Sequence, residues 1–170
     1  MIEYLAERTA QHIKHMVPHH PSSIAVLKYG LSIVINITLI ILVTMLLSTL
    51  LGTFHPAMII MFSFALLRQL TGGYHLKTGM GCVAFSSLLF VTLSMMTLPT
   101  IYCIILTCMS IILILFYAPS HLANHSRIFE TYYPLLKIAG CFLVAINLYV
   151  LSVPVALAFF VQSVSLIRRR

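Results

Sequence analysis

Continuous runs of apolar residues, separated by short polar stretches, make up most of the chain. Because the apolar residues follow one another without alternating with polar ones, the runs predict membrane-spanning helices and not the strands of a β-barrel. The six runs are Leu31–Leu51, Pro56–Leu67, Gly79–Met96, Ile101–Tyr117, Leu136–Val150 and Val153–Ile167. A full span takes about 20 residues, so the shorter runs require tilt or local thinning of the bilayer. The pattern predicts an all-α, polytopic integral membrane helical bundle with about six transmembrane helices.

The last two runs are separated only by the residues around Pro154. Proline lacks a backbone N–H and interrupts a helix, so we expect two helices joined by a tight turn at Ser152–Pro154. The alternative is one long kinked helix, which would place the C-terminus on the other side of the membrane.

The N-terminal residues carry a different pattern. Within Ile2–Val17 the apolar side chains recur every three or four residues, and the charged ones fall largely elsewhere on the helix. This spacing predicts an amphipathic helix within residues 1–20 that lies on the membrane surface; a helix packed on the protein's own flank is the alternative. We interpret residues 1–170 as one membrane-embedded domain, because no long polar segment could form a second.

Composition supports the membrane assignment and excludes two classes of protease. Hydrophobic residues make up 61% and charged residues 8% of the 170 residues, whereas soluble domains have about 45–50% and about 25%. The acidic residues are Glu3, Glu7 and Glu130, so the absence of Asp excludes an aspartyl protease. No His-Glu-x-x-His motif occurs, which excludes the corresponding zinc proteases.

The distribution of basic residues predicts the orientation of the bundle. With six spans and a cytoplasmic N-terminus, the far-side loops are Gly52–His55, Thr97–Thr100 and Ser152–Pro154, and none contains Lys or Arg. All ten basic residues then lie on or near the cytoplasmic side, as the positive-inside rule requires. We therefore expect both termini in the cytoplasm. Anionic lipid head groups account for the net charge of +7, so no nucleic-acid partner is expected.

The candidate chemistry lies in the polar stretch Arg68–Cys82, RQLTGGYHLKTGMGC. It holds four of the seven glycines and a histidine–cysteine pair, His75 and Cys82. A cysteine becomes a nucleophile when a neighbouring imidazole takes its proton and stabilises the thiolate. The pair is therefore a candidate base and nucleophile of a cysteine protease.

The spacing of this pair requires an interrupted backbone. Seven residues on one straight helix rise about 10.5 Å, too far for a direct hydrogen bond. Glycines at positions 72, 73, 79 and 81 bracket the two residues, and glycine frees the backbone to turn. The alternative is a glycine-rich loop followed by a cysteine that only packs at the start of a helix. The spacing alone leaves both interpretations open.

The stretch resembles the signature of the accessory gene regulator B (AgrB) family: an arginine, a Gly-Gly-Tyr-His core and a cysteine seven residues after the histidine. The six apolar runs, the amphipathic N-terminus and the YAPS element at Tyr117–Ser120 are similar to that family along nearly the whole chain. The resemblance implies a cysteine endopeptidase of the bacterial cell membrane. Such a protein cleaves a short quorum-sensing precursor peptide through a thioester acyl-enzyme and assists closure of a thiolactone ring.

The resemblance also implies the roles of individual residues. His75 matches the catalytic base and Cys82 the catalytic nucleophile. Further matching positions, which are candidate supporting residues or oxyanion donors, are Arg68, Gln69, Gly72, Gly73 and Tyr74. Because the chain has no Asp, an amide such as Gln69 or a backbone carbonyl would have to orient His75.

The partners implied are a precursor peptide with an amphipathic leader and the lipid bilayer; a second copy of the chain, in a homodimer, is a further candidate. We expect no cofactor and no metal. The histidines at positions 12, 15, 19 and 20 lie close together, but no cysteine or acid joins the pair at 12 and 15. We therefore expect these histidines to lie on a solvated face at the membrane surface and not to bind a metal. A non-enzymatic peptide exporter or membrane scaffold is the alternative function. It predicts that replacement of Cys82 would leave the function of the protein unchanged.

Isolated polar residues and cysteines inside the apolar runs are expected to have structural roles. Asn36 and Asn147 would hydrogen-bond between helices. Cys103, Cys108 and Cys141 would pack in the core, and their positions in the sequence do not suggest a disulfide framework.

Overall fold

The computed structural model describes residues 1–19, 21–73, 78–118 and 133–167, and within these the chain forms seven α-helices. In chain order they are α1 (Ile2–Met16), α2 (Ile24–Leu50), α3 (Phe54–Thr71), α4 (Gly79–Ser94), α5 (Thr100–Tyr117), α6 (Tyr133–Val150) and α7 (Val153–Val164). Each predicted apolar run corresponds to one of the helices α2 to α7. The predicted all-α membrane bundle is therefore confirmed.

The apolar helices differ in length. Among the described residues, α2, α3, α5 and α6 are long and apolar enough to cross a membrane. Helices α4 and α7 are also apolar but have 16 and 12 residues. At about 1.5 Å per residue, α7 is about 18 Å long, against roughly 30 Å for a hydrocarbon core. A helix of that length needs a thinner bilayer or shielding by its neighbours.

Helix α7 is shielded in this way. It packs against both α3 and α5, and residues in and just after it enter two hydrophobic clusters. The first cluster contains Leu67, Ile114, Ala118, Val144, Phe159 and Leu166. The second contains Ile60, Phe90, Leu93, Leu157 and Ala158. The shortest of the described helices therefore lies at the centre of the bundle.

A tight turn separates α6 from α7. Leu151 has a φ of 54°, the left-handed conformation that often ends a helix, and Pro154 lies in the first turn of α7, where its missing N–H is tolerated. Asn147 stabilises the turn, since its Oδ1 accepts the N–H of Ser152 and its Nδ2 donates to the carbonyl oxygen of Ser152. The prediction of two helices is confirmed, and the alternative of one long kinked helix is wrong.

Helix α1 packs along α2, which in turn packs against α4. Three residues of α1, spaced four apart, are buried: Ile2, Ala6 and Ala10. At the exposed edge of the α1–α2 contact, Lys28 of α2 donates to the Glu7 carboxylate at 2.9 Å. Tyr4 and Leu5 are exposed. The helix therefore lies on the flank of the bundle, and its contact with a membrane surface stays a prediction.

Small hydroxyl residues line the contacts between helices. Six buried ones donate to a backbone carbonyl three or four residues earlier in their own helix: Ser48, Thr71, Ser94, Thr107, Ser110 and Ser163. This bond satisfies the hydroxyl, and the small side chain lets neighbouring backbones approach closely. Packing of this kind is typical of membrane bundles, because apolar side chains gain little by leaving lipid.

Candidate active site

The predicted interruption of the backbone is present. Helix α3 ends at Thr71 and α4 begins at Gly79. The two glycines that follow α3 have positive φ, 74° at Gly72 and 140° at Gly73. Residues with a side chain rarely adopt these values, so glycine is needed for the chain to leave α3 in this direction. The candidate nucleophile therefore lies on a different helix from Arg68.

Cys82 lies in the first turn of α4, where its N–H donates to the carbonyl oxygen of Thr78 at 3.0 Å. The N-terminus of a helix carries partial positive charge, because its first N–H groups are unpaired and its peptide dipoles are aligned. The side chain of Cys82 is 8% exposed, and its Sγ is 3.9 Å from the Oγ of Ser86, one turn further along. The N-terminal end of a helix attracts negative charge, and Cys82 lies at that end of α4.

Arg68 brings a full positive charge towards the same sulfur. It lies in the last turn of α3, half-buried, with its guanidinium carbon 5.9 Å from the centre of the Phe64 ring. The guanidinium is close enough to Cys82 for an attractive electrostatic interaction. A cation beside a cysteine favours the nucleophilic thiolate. The structure thus brings one of the predicted supporting residues to the candidate nucleophile.

Other predicted site residues are placed less closely or lie outside the described residues. The side chain of Gln69, next to Arg68, is exposed, and its role as an oxyanion donor stays a prediction. Tyr74 and His75 lie outside the described residues, so the roles that the resemblance implies for them also stay predictions.

Gln162 of α7, which the sequence interpretation missed, holds the turn after α3. Its side chain is fully buried, and its Nε2 donates to the carbonyl oxygen of Gly72 at 2.5 Å and to the Oγ1 of Thr71 at 3.3 Å. Ser165 donates in turn to the Oε1 of Gln162 at 3.2 Å. The signal that could have identified it is an amide in an otherwise apolar run, because such side chains hydrogen-bond across membrane helices.

Helices α1 and α2 cover the start of α4. A Cβ added at Gly79 would lie 3.1 Å from the Cδ1 of Ile2 and 3.7 Å from the Oδ1 of Asn36. Asn36 is 7% exposed, and its Oδ1 has no hydrogen-bond partner among the described residues. The interhelical hydrogen bond predicted for Asn36 is therefore not made by this oxygen. The close approach explains the glycine at position 79, since a larger residue would push α1 or α2 away.

For the other residues with predicted structural roles, some predictions are confirmed and one is wrong. Asn147 donates to the Oγ1 of Thr107 at 3.1 Å and to the Sγ of Cys103 at 3.6 Å, which confirms its predicted interhelical bonds. Cys103 is buried as predicted, Cys141 is half-buried, and Cys108 is exposed. Core packing is therefore wrong for Cys108. All four cysteines lie in the described residues, and none of them forms a disulfide bond.

The arrangement is suited to nucleophilic chemistry by a thiol. The helix terminus and the positive charge of Arg68 both act on Cys82. A thiolate in this position could attack the carbonyl carbon of an amide and form a thioester when the C–N bond breaks and the amine leaves. Within the described part of the chain, no group of three His, Cys, Asp or Glu side chains could hold a metal ion.

Comparison with known proteins identifies the family. A sequence model of the accessory gene regulator B family matches residues 6–168. The chain belongs to this family. The resemblance drawn from the Arg68–Cys82 motif is thereby confirmed. The family takes part in accessory gene regulation and in the processing of quorum-sensing peptides.

Two relatives are similar to part of this AgrB-family chain. The putative AgrB-like protein of Halalkalibacterium halodurans is 33% identical over 92 residues, which is 54% of this chain and 46% of the relative. Protein FsrB of Enterococcus faecalis is 33% identical over 98 residues, 54% of this chain and 40% of the relative. The chain thus spans less than half the length of either relative. No solved structure matches the chain.

Proposed function

We propose that this protein is a membrane-embedded cysteine endopeptidase that cleaves a short quorum-sensing precursor peptide. The observation that carries the proposal is the position of Cys82: a buried thiol in the first turn of α4, within electrostatic reach of Arg68. Membership in the AgrB family supports the substrate class. Cys82 is the proposed nucleophile, and His75 is the proposed base.

The proposed reaction begins with transfer of a proton from the Cys82 thiol to the imidazole of His75. The thiolate then attacks a backbone carbonyl carbon of the bound peptide and forms a C–S bond. When the tetrahedral intermediate collapses, the C–N bond breaks and the imidazolium gives its proton to the leaving amine. The N-terminal part of the peptide stays on Cys82 as a thioester.

The negative charge on the intermediate's oxygen needs hydrogen-bond donors. Since the first hydrogen bond inside α4 is made by the N–H of Cys82, the N–H groups of residues 79–81 have no acceptor within the helix. These groups are the proposed oxyanion donors, with Arg68 as a charged donor beside them. Gln69 is retained as a further candidate.

Ring closure follows from the same thioester. A cysteine thiol of the bound peptide gives its proton to His75, attacks the thioester carbonyl and forms a new C–S bond, while the C–S bond to Cys82 breaks and Cys82 leaves as a thiolate. One thioester replaces another, so the product is a thiolactone, provided that the peptide thiol is held close and water is excluded. The 8% exposure of Cys82 supports such exclusion.

The proposal predicts a covalent intermediate at Cys82. The protein in lipid nanodiscs is mixed with a synthetic precursor peptide that carries an amphipathic leader, and the reaction is quenched in acid within the first turnover. Mass spectrometry should then find the N-terminal fragment on Cys82, and hydroxylamine should remove it, because hydroxylamine cleaves thioesters. A precursor without its amphipathic leader should form the intermediate more slowly, since the leader is proposed to bring the peptide to the bilayer surface.

The control for this experiment is Cys108→Ala, which removes an exposed thiol and should leave the intermediate unchanged. Cleavage with no adduct at Cys82, or with the adduct on another cysteine, would contradict the mechanism. In sealed vesicles that contain the protein, movement of uncut peptide across the membrane with no adduct at Cys82 would instead indicate a peptide exporter.

We also propose that both termini face the cytoplasm, because the basic residues gather on that side. In a Cys108→Ala background, Thr97→Cys, in the exposed link between α4 and α5, should react with a membrane-impermeant thiol reagent added to intact cells. His19→Cys, between α1 and α2, should react only after permeabilisation. Labelling of His19→Cys in intact cells would overturn the orientation.

A further inference from the structure

Gln162 joins two parts of the chain that are far apart in sequence. Its Nε2 bonds to the carbonyl oxygen of Gly72, 90 positions earlier. That carbonyl is at the C-terminal end of α3, where the last carbonyls of a helix have no partner inside the helix itself. The hydroxyl of Thr71 lies 3.5 Å from this oxygen, and the amide of Gln162, at 2.5 Å, makes the shorter of the two hydrogen bonds.

The contact extends to the next residue and leaves no room there. A Cβ added at Gly73 would lie 2.9 Å from the Oγ of Ser165 and 3.1 Å from the Nε2 of Gln162. Both distances are shorter than ordinary van der Waals contact. The backbone of the Gly72–Gly73 turn thus rests directly on the polar face of α7 and the residue after it.

We propose that Gln162 is a positioning residue: its carboxamide fixes the Gly72–Gly73 turn and thereby the direction in which the segment carrying His75 leaves α3. The proposal rests on the proposed function, in which His75 is the base. His75 follows Gly73 by only two residues, so a change in the turn is passed to the imidazole through a short length of chain. Displacement of a catalytic group by about 1 Å can reduce the rate about 10²-fold.

The competing explanation is that Gln162 only holds helices together. Asn147 separates the two explanations, because it is the same kind of side chain in a different place. It is 2% exposed and bonds α6 to α5 and to the turn before α7, but it does not contact the Gly72–Gly73 turn. Loss of either amide removes buried hydrogen bonds of membrane helices, so both changes should lower stability in a similar way.

The experiment compares Gln162→Met with Asn147→Leu, two changes that keep the approximate shape and remove the amide. Gln162→Glu is the conservative variant, because burial keeps a carboxyl group protonated and its O–H can donate to the carbonyl oxygen of Gly72. Each protein is studied in nanodiscs with the precursor peptide, and turnover is expressed per folded protein. We expect a loss of about 10²-fold for Gln162→Met, partial recovery for Gln162→Glu, and wild-type turnover for Asn147→Leu.

The second readout is the rate at which Cys82 reacts with iodoacetamide, measured as a function of pH by mass spectrometry at that residue. His75→Ala defines the profile of a thiol without its base. The profile of Gln162→Met should move towards that of His75→Ala, and the profile of Asn147→Leu should match the wild type. This readout requires no peptide, so it reports the thiol and its base separately from substrate binding.

Two results would overturn the positioning role: a wild-type profile in Gln162→Met, or an equal displacement of the profile in Asn147→Leu. If Gln162→Met does not fold, Gly73→Ala decides, because its Cβ would push the same turn away from Gln162 and Ser165; a wild-type profile in Gly73→Ala would exclude the role. A wild-type profile in His75→Ala would refute the proposed base itself. That result is distinguishable, because it is obtained with Gln162 intact.

Discussion

Replacement of Cys82 by Ala should abolish cleavage of the precursor peptide while the protein stays inserted and folded. The sulfur of Cys82 is the atom that forms the new covalent bond, so its loss should reduce turnover by roughly 10⁴-fold or more. Cys82→Ser should be almost as inactive, because a hydroxyl gives up its proton far less readily than a thiol. Peptide cleavage by purified protein in nanodiscs, followed by mass spectrometry, measures both variants.

The matched comparison is a protein in which the thiol of Cys82 is the one that remains. Cys103→Ala, Cys108→Ala and Cys141→Ala together should leave most of the cleavage intact. Cys103 is buried against Asn147, so this protein should lose some thermal stability. Full processing of the precursor by Cys82→Ala would end the cysteine protease interpretation, whatever the triple variant does.

Gly73→Ala is the second change with a large expected effect. Its Cβ would collide with the Oγ of Ser165 at 2.9 Å and with the Nε2 of Gln162 at 3.1 Å, and its φ of 140° is strained for any residue with a side chain. Relief of both requires the turn to move away from α7. We expect a fall in turnover of about 10²-fold, the size associated with displacement of a catalytic group by about 1 Å, measured in the same cleavage assay.

Gly52→Ala is the control for Gly73→Ala. Gly52 also has a positive φ, 70°, but a Cβ there would meet nothing within 4 Å. Alanine in a left-handed conformation costs about 1–2 kcal/mol, so Gly52→Ala should lower thermal stability without changing turnover per folded protein. Equal turnover in the two variants would show that contact with α7 has no part in catalysis.

The helices were predictable because the apolar interior of a membrane leaves few alternatives for the backbone. The positions at which the helices begin and end were less predictable. Helix α2 begins at Ile24, about two turns before the apolar run at Leu31. Ser23 caps this helix by accepting the N–H of Val26, and Lys28 pairs with Glu7. Residues 24–30 are mostly apolar but contain Lys28, and its pairing with Glu7 together with the Ser23 cap allows the helix to begin before the uninterrupted apolar run.

The candidate site was predictable in part. Glycines on both sides of the motif indicated a broken backbone, and Cys82 does lie at the start of a helix. The contact with α7 was not predictable, because Gly72 and Gln162 are 90 positions apart. Hydropathy indicates which segments enter the membrane, but it does not indicate which segments become neighbours.

The two buried asparagines also show that the sequence does not indicate which helices become neighbours. The same reasoning applied to Asn36 and Asn147, since each is a single amide within an apolar run. Asn147 faces a hydroxyl and a turn that can bond to it, whereas the Oδ1 of Asn36 faces the start of α4 at Gly79. Whether a buried amide finds a partner depends on the neighbouring helix, which a single sequence does not specify.

The central place of α7 has a consequence for the order of events during biosynthesis. Ribosomes make the N-terminal residues first, so Arg68 and Cys82 are already in the membrane before Gln162 exists. Until α7 inserts between α3 and α5, the turn at Gly72–Gly73 lacks the side chain that holds it. On the proposed function, an incomplete chain therefore carries its nucleophile in an unassembled site. The proposed site would therefore be complete only after α7 has been translated and inserted.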